Sequence, residues 1–527
     1  MNEMILLFFR LPFENKPYII LSINGNIRKG KDIIIPKTDV GITINLWDYL
    51  SNSDDNYNLP KKLFDLNLAR RLLTGKSKDC FPHNNEPWNG ISILGRNFAD
   101  SKIFSSIKAI ENNQYATFSE WESNLPNSWE ILLIESIKKE YDILSLELKR
   151  NNLYDYFIKI EMSLLVSFAK SGCNGININY DLLNKRCLEL DNIYYNTVRE
   201  LEITHNFVVS DYKAIKFEDI KNFIKVPFDT KVNDKYLWDY IELHKNISTF
   251  LEQLYLENHV RRDLTELLRI KIGLSDKCKL QYDIIGTVSG RILVTRPGIQ
   301  YLKRTSRDVF IPNPGHKFIY ADYSQFEPGI LAFLSEDKNL IHAYTQGDLY
   351  DNLAKKIGNS CSREIAKKMF LSYIYGMNIE NIKKSIVNTY GESAEKSIEI
   401  FFNNFPKVLS WKKSIVENSF RDKKATGLTG YIRYFDENEE KYDIARLAPN
   451  HIIQATASGI FKNALVNYTN ASKNGRLLVP MHDAVLIEVI SEEYECEKKL
   501  IFQCMKQAFE SLSNGMECKI HYDNFSG

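Results

Sequence analysis

Two short apolar runs, each delivering an aspartate and lying far apart in the chain, constrain this sequence more than any other feature. KFIYADYSQFE at 317–327 opens with mostly apolar residues from Phe318 to Ala321 and then presents Asp322, the pattern of a buried strand that ends in a site. LLVPMHDAVLIEV at 477–489 has apolar arms on both sides of His482 and Asp483, the pattern of a hairpin with a second carboxylate at its turn. If both strands share one sheet, that domain is split in sequence around whatever lies between them. Magnesium keeps several waters and takes one or two protein carboxylates plus substrate phosphates, so two such aspartates suffice to hold a pair of ions for in-line displacement. A single aspartate after a strand is more often a turn former, and the pair gains meaning only from the intervening residues.

Between them, SREIAKKMFLSYIYGMN at 362–378 repeats Arg363, Lys367, Leu371 and Tyr375 every four residues before Gly376. At about 100° per residue each step drifts by about 40°, so the four side chains occupy one arc of a single helix and face the same ligand. Arg363 and Lys367 fall on the N-terminal half, where the helix dipole also favours anions, a combination suited to a triphosphate. Tyr375 ends the stripe with a ring suited to stacking against a base. Taken alone, this helix also fits an ordinary amphipathic element with a basic solvent edge.

With 527 residues, 44% hydrophobic and 26% charged, the chain has material for about three or four structural units and a large core, which excludes a disordered or fibrous protein. No apolar run reaches the roughly eighteen residues of a membrane span, and the N-terminal apolar stretch is short and lacks a small-residue cleavage site. A soluble, cytoplasmic protein is expected. The 68 Lys plus Arg nearly cancel the 67 Asp plus Glu, so a polyanion must be held by local patches. One such patch runs from Arg261 to Arg307, with eleven basic against four acidic side chains, and reads either as a phosphate-binding stretch or as a solvated helix face followed by a charged loop. Eight scattered cysteines form no CxxC pair and read as free thiols in a reducing compartment.

Up to about residue 134 the apolar segments are short and β-rich in places (MILLFF, YIILSI, DIIIP), broken by turn clusters, and read as a small α/β domain. Beyond Trp129, spans 131–149, 154–170, 180–202 and 235–272 repeat apolar residues at three- and four-residue spacing and are expected to be helices, the last one long.

Together these segments resemble the polymerase core of the bacterial DNA polymerase I family, family A, in order and spacing. DYSQFE at Asp322 to Glu327 is similar to that family's motif A; Arg363, Lys367 and Tyr375 match its fingers helix; His482 and Asp483 match its last motif. GTVSGRI resembles the Thr-x-x-Gly-Arg element and places Arg291 near the primer terminus, and NHIIQATASGI resembles the helix that contacts template and primer, placing Asn450 and Gln454 there. The resemblance covers roughly residues 160–527. It implies two Mg2+ ions, with Mn2+ as a possible substitute, held by Asp322 and Asp483 as the catalytic pair. It implies nucleotide contacts from Arg363, Lys367, Leu371, Tyr375, Glu327 and Gln325, and DNA contacts from Arg291, Asn450, Gln454 and His482. Glu327 would be the steric gate against ribose, steadied by Tyr375.

The implied architecture is a mixed α/β right hand: an N-terminal α/β domain at 1–135, a helical thumb at 136–280, palm at 281–336 and 447–527, and fingers at 337–446. The implied partners are primer-template DNA and dNTPs, with no membrane, a monomeric state and room for a processivity or replication partner. Several positions depart from the family pattern: Leu371 stands where an aromatic residue is usual, Pro328 and Gly329 replace an aliphatic residue and an Arg, Tyr350 replaces a frequent His, and Ala484 replaces an acid. The N-terminal domain occupies the place of a proofreading exonuclease, yet its first strand, ILLFFRLPF, lacks the Asp-x-Glu that such chemistry needs. A DNA polymerase without proofreading is therefore expected. RNA-templated or lesion-bypass synthesis, and a weakly catalytic nucleic-acid-binding protein, are the alternatives; a single-subunit RNA polymerase is disfavoured by Glu327.

Overall fold

The short apolar segments near the N-terminus pair into one mixed sheet. Its strands are β1 (Glu3–Phe9), β2 (Tyr18–Ile23), β3 (Asn26–Gly30), β4 (Val40–Thr43) and β5 (Lys62–Asp65), in the order β3-β2-β1-β4-β5. β1–β2 and β2–β3 are antiparallel, whereas β1–β4 and β4–β5 are parallel. Alternation puts Met4, Leu6, Ile19 and Leu21 into one cluster on a single face. Helix α1 (Leu66–Thr74) follows at once: the Asp65 carboxylate accepts from Leu68 N at 3.1 Å, and Gly75 ends the helix at φ 59°.

This computed structural model describes residues 3–9, 18–30, 33, 40–44, 62–75, 118–123, 128–210, 212–224, 237–238, 241–242, 245, 248–273, 276–358, 361–375, 382 and 392–526. Of the expected features, residues 10–13 of ILLFFRLPF, DIIIP apart from Ile33, parts of the 235–247 stretch, and Gly376 lie outside these residues. The chain divides into one unit of Met1–Cys173, Tyr282–Leu293 and Ile319–Tyr522, and a second of Asn174–Gln281, Val294–Phe318 and Asp523–Gly527.

In the second unit, α4 (Tyr180–His205) packs along α5 (Thr249–Ile272), preceded in the chain by α2 (Trp129–Arg150) and α3 (Met162–Asn174) of the first unit. A small sheet of β6 (Ile176–Ile178), β7 (Lys277–Cys278) and β8 (Phe310–Ile311) belongs to the second unit as well. The apolar repeat over 235–272 suggests one long helix, but α5 starts only at Thr249, because Ser248 is extended at φ −139° and ψ 128°. Periodicity alone does not register a cap inside a repeating stretch. The basic stretch from Arg261 to Arg307 is also less free than its composition suggests: Arg261 binds Glu257 at 2.8 Å, Arg269 binds Glu266 at 2.5 Å, and Arg304 binds Asp523 at 2.6 Å.

In the first unit, the aspartate segments become strands of one four-stranded sheet. β9 (His316–Ser324), β10 (Arg476–Pro480), β11 (Ala484–Ile490) and β12 (Lys519–Asp523) lie in the order β10-β11-β9-β12. Between β9 and β10 the chain forms α6 (Phe326–Ser335), α7 (Lys338–Gln346), α8 (Leu349–Ile357), α9 (Arg363–Ile374), α10 (Glu392–Asn403), α11 (Pro406–Asp422) and α12 (Lys441–Ala471); α13 (Tyr494–Leu512) precedes β12. Tyr323 on β9 stacks on Phe326 of α6 with centroids 4.1 Å apart and donates to Met505 O on α13, which pins the sheet to its covering helices.

Behind this sheet α12 buries a complete ion pair. Lys462 Nζ donates to both carboxylate oxygens of Glu161, at 3.0 and 2.8 Å, and to Tyr431 Oη at 2.7 Å, and both charged side chains are 0% exposed. Tyr431 in turn donates to Glu161 and meets the Tyr156 hydroxyl at 3.2 Å. Every lone pair and proton of consequence in this cluster has a partner within the protein.

Candidate active site

Strand pairing brings the two aspartates together. Asp322 is the third residue from the end of β9, which continues to Ser324 instead of stopping at the carboxylate. Asp483 closes the turn between the antiparallel strands β10 and β11, where Met481 N donates to Ala484 O at 2.7 Å. Tyr323 N donates across the sheet to Asp483 O at 3.1 Å, so the two carboxylates emerge from neighbouring strands. Burial first, then the charge of Glu327, pushes the Asp483 carboxyl up to about 6, against the pull of Lys367 and Arg291. Asp322 Oδ2 lies 3.5 Å from His521 Nε2 on β12, whose Nδ1 meets Ser324 Oγ at 2.8 Å.

Glu327 belongs to the same pocket because β9 turns sharply into α6. Gln325 makes that turn in the left-handed region, at φ 53° and ψ 41°, a conformation that costs a non-glycine residue about 1 kcal/mol. Its amide is occupied: Nε2 donates to Asp348 Oδ2 at 3.0 Å and Oε1 accepts from Leu349 N at 2.9 Å. Glu327 Oε1 accepts from Arg291 Nη2 at 2.7 Å, while its Oε2 is buried. The Tyr375 phenol stands close by, and burial followed by the Glu327 charge holds it protonated well above its ordinary range. Asp483 and Glu327 thus repel one another beside Arg291, which binds Glu327, and Lys367, while Asp322 stands on the paired strand next to His521. Such a site favours a bound cation, and the oxygen donors fit Mg2+ completed by water and phosphate. Among the described residues no group of three or more His, Cys, Asp or Glu side chains forms a protein-only metal cage.

The basic stripe lies on α9 as its spacing predicts, with Tyr375 as the C-terminal cap, its N–H bonded to Leu371 O at 2.8 Å. Ser362 caps the other end, its Oγ accepting from Ile365 N at 3.3 Å. Lys367 is exposed, makes no ion pair among the described residues and contributes its charge to Asp483. Arg363 is engaged: its guanidinium binds Asp348 Oδ2 at 2.7 Å and lies over the Tyr350 ring, 5.3 Å from the centroid. Tyr350 therefore serves as a platform for Arg363. Leu371 is partly exposed on the same stripe.

Two departures have packing reasons. A Cβ on Gly329 would stand 2.7 Å from Cζ of the buried Tyr344 ring, so a longer side chain has no room. Ala484 is 1% exposed, inside the sheet rather than at the pocket. Asn450 and Gln454 are four residues apart on one face of α12, both partly buried, and Asn450 Oδ1 has no partner. His482 is exposed along one edge, yet crowding by protein atoms and the Arg291 charge lower its imidazole to about 4 and keep it neutral. Sequence reasoning missed Asp348, which ties Gln325 to Arg363, and His521, which faces Asp322. The first is disguised as a helix cap, accepting from Tyr350 N and Asp351 N, and the second is an isolated histidine on the last strand.

A family model described as DNA polymerase family A matches residues 212–524. DNA polymerase I of Treponema pallidum is 27% identical over 404 residues, covering 70% of this chain and 40% of that protein. DNA polymerase I of Borreliella burgdorferi is 24% identical over 535 residues, covering 95% and 57%. This chain therefore spans little more than half the length of these curated relatives, or less. Among solved structures, the POL domain of Pol1 from M. smegmatis, in complex with DNA primer-template and dNTP, superposes with a TM-score of 0.76 at 18% identity, covering 99% of this chain and 95% of that one. The fold is thus the mixed α/β right hand of that domain. No helix among the described residues is long and apolar enough to cross a membrane.

Proposed function

The chain belongs to DNA polymerase family A, and from that premise we propose that it extends a primer 3′ end with dNTPs under template direction, without proofreading. The observation that carries this reading is the pairing of the strands that bear Asp322 and Asp483, with Tyr323 N bonded to Asp483 O at 3.1 Å, beside a carboxylate that burial leaves short of positive charge. Family A polymerases use Mg2+, which here would be held by Asp322 and Asp483 as a pair of ions. When bound, the ions supply charge neutralisation of the triphosphate and a more acidic primer hydroxyl. Asp322 and Asp483 orient that centre; Lys367 neutralises phosphate charge from the exposed face of α9; Arg363 leaves Asp348 for the triphosphate or stiffens α9 through it. Tyr375 packs against the nascent pair, and Glu327 faces the sugar. Catalysis then rests on positioning and charge stabilisation rather than on covalent chemistry by the protein.

Primer-template DNA is held, on this reading, by Arg291, Asn450, Gln454 and the outward edge of His482. We assign residues 1–135 to an exonuclease-like domain without its chemistry, 136–280 to the thumb, 281–336 and 447–527 to the palm, and 337–446 to the fingers. The sheet order β3-β2-β1-β4-β5 supports a nuclease-like ancestry, while Asp65, an acid at the end of β5, is used as the cap of α1. The test is primer extension on defined DNA and RNA templates with each nucleotide class, together with a mismatched primer held in Mg2+ without nucleotides. Extension with dNTPs and persistence of the mismatch are expected; trimming that survives replacement of both Asp322 and Asp483 refutes the assignment of the N-terminal domain.

A further inference from the structure

Arg71, on the helix that follows the N-terminal sheet, is buried at 3% side-chain exposure. Its guanidinium forks onto Asp283, Nη1 to Oδ1 at 2.7 Å and Nη2 to Oδ2 at 3.1 Å, and Nη2 also donates to Ile285 O. Asp283 Oδ1 accepts in addition from Ile285 N at 3.2 Å, so one arginine fixes both polar faces of this segment.

The segment leads straight into the loop that carries Arg291. Gly286 N donates to Arg291 O at 2.9 Å, Gly290 N to Thr287 O at 2.9 Å, and Arg291 N to Thr287 Oγ1 at 3.0 Å, which closes the loop on itself. Ser458 on α12 grips Gly290 O at 2.6 Å. Gly290, at φ 78°, lies flat on the Tyr431 ring, where a Cβ would approach to 2.3 Å. At the end of the loop, Arg291 Nη2 holds Glu327 Oε1 at 2.7 Å. A continuous set of bonds therefore runs from the N-terminal domain to the carboxylate assigned to the sugar.

We propose that Arg71 is a positioning residue for sugar selection: through Asp283 and Ile285 it sets the 286–291 loop, and thereby the place of Glu327 in the nucleotide pocket. This rests on the reading of Glu327 as the residue facing the nucleotide sugar. It gives the N-terminal domain a role that needs none of the missing acids. Lysine cannot replace the fork, because a point charge on a flexible stem does not satisfy two carboxylate oxygens and a carbonyl in one plane.

The test uses the full chain as parent, Arg71→Lys, Asp283→Asn, Glu327→Ala and the double variant Arg71→Lys/Glu327→Ala. Incorporation of a dNTP and its matched rNTP is measured alongside DNA affinity and thermal melting. Arg71→Lys and Asp283→Asn should each lower the dNTP-over-rNTP ratio of kcat/KM by about tenfold, with DNA affinity within about threefold of the parent. In the Glu327→Ala background, Arg71→Lys should change the ratio no further. Hydrogen exchange should quicken by about tenfold at 285–291 in Arg71→Lys while segment 494–512 keeps its protection. A cooperatively melting Arg71→Lys with an unchanged ratio overturns the proposal, as does an equal fall in both backgrounds or an equal loss for both sugars. If the parent extends no primer, the polymerase reading fails by itself, and exchange at 285–291 still decides whether Arg71 sets the loop.

Discussion

Two centres of buried carboxylate in the first unit have opposite electrostatic fates. Glu161 is completely enclosed, but Lys462 and Tyr431 meet both of its oxygens. Asp483 feels the charge of Glu327, Arg291 binds one oxygen of Glu327, and the Asp483 carboxyl is raised to about 6. The first centre is neutral by its own means and the second is not. Burial of an acid is therefore no sign of function in itself; an excess of acid over cation within one pocket is, because the fold tolerates it only where a ligand supplies the missing charge.

The comparison breaks first if the second centre proves dispensable. Asp322→Ala or Asp483→Ala should reduce primer extension by at least about a thousandfold while DNA affinity changes little, since on the proposed reading each removes a metal-holding oxygen and no phosphate contact. Single-turnover extension and a DNA-binding titration on the same preparations check this, and near-normal extension by either variant ends the two-metal assignment.

Disturbing the first centre should act on the other coordinate. Glu161→Gln or Lys462→Met leaves one buried charge unpaired and should cost about 3–5 kcal/mol of stability, read from denaturant unfolding. Activity per folded molecule should fall by less than about tenfold. The double variant Glu161→Gln/Lys462→Met removes both charges and should recover part of the lost stability. A large activity loss with unchanged unfolding would mean that this ion pair belongs to the reaction.

The third contrast concerns pH in the absence of divalent metal. The Asp483 carboxyl titrates at about 6 in the folded chain and at about 3.9 in an unfolded one. Between those values the unfolded state releases its proton first, so stability is greatest below about pH 4, falls as pH rises through about 6, and stays low above. Asp483→Asn should abolish this fall and be more stable than the parent at pH 7 by about 3 kcal/mol in chelator. Mg2+ should raise the parent's melting temperature and leave that of Asp483→Asn nearly unchanged. A parent whose stability rises over this pH window contradicts the picture of a site short of positive charge.

The two centres also differ in how legible they are. Asp322, Asp483, Lys367 and Tyr375 could be read from the chain because each lies in a short stretch whose period or apolar flanks mark its element, whereas Glu327 was marked only by the resemblance of DYSQFE to the family motif. Their convergence follows from strands β9 and β11 being neighbours, which the resemblance implied and periodicity did not. Glu161 and Lys462 lie far apart in helical stretches where a buried charge looks like any polar position, and Arg71 meets Asp283 only through the tertiary fold. The boundary at Ser248 was hidden by the uninterrupted apolar repeat around it. Gly329 looked like a functional departure and is explained by the Tyr344 ring.

The smallest expected effect tests whether the uncompensated centre also chooses the sugar. Glu327 is held by Arg291 and by the Tyr375 phenol beside it, so a ribose 2′-hydroxyl would have to displace a carboxylate that is already fixed. The clash and the imperfect hydrogen bond should each disfavour rNTP, and together they need only about 1.4 kcal/mol to yield a tenfold preference. In Glu327→Ala the preference for dNTP should therefore narrow by about tenfold or more, chiefly because rNTP is accepted better. Removing an acid from the same pocket should also lower the Asp483 carboxyl, since the Glu327 charge is the second cause of its elevation, after burial. The melting profile of Glu327→Ala against pH should accordingly flatten between pH 4 and 6 relative to the parent. If the sugar preference narrows and the pH profile stays as steep as the parent's, Glu327 acts on the nucleotide by shape alone, and the excess negative charge resides in the two aspartates.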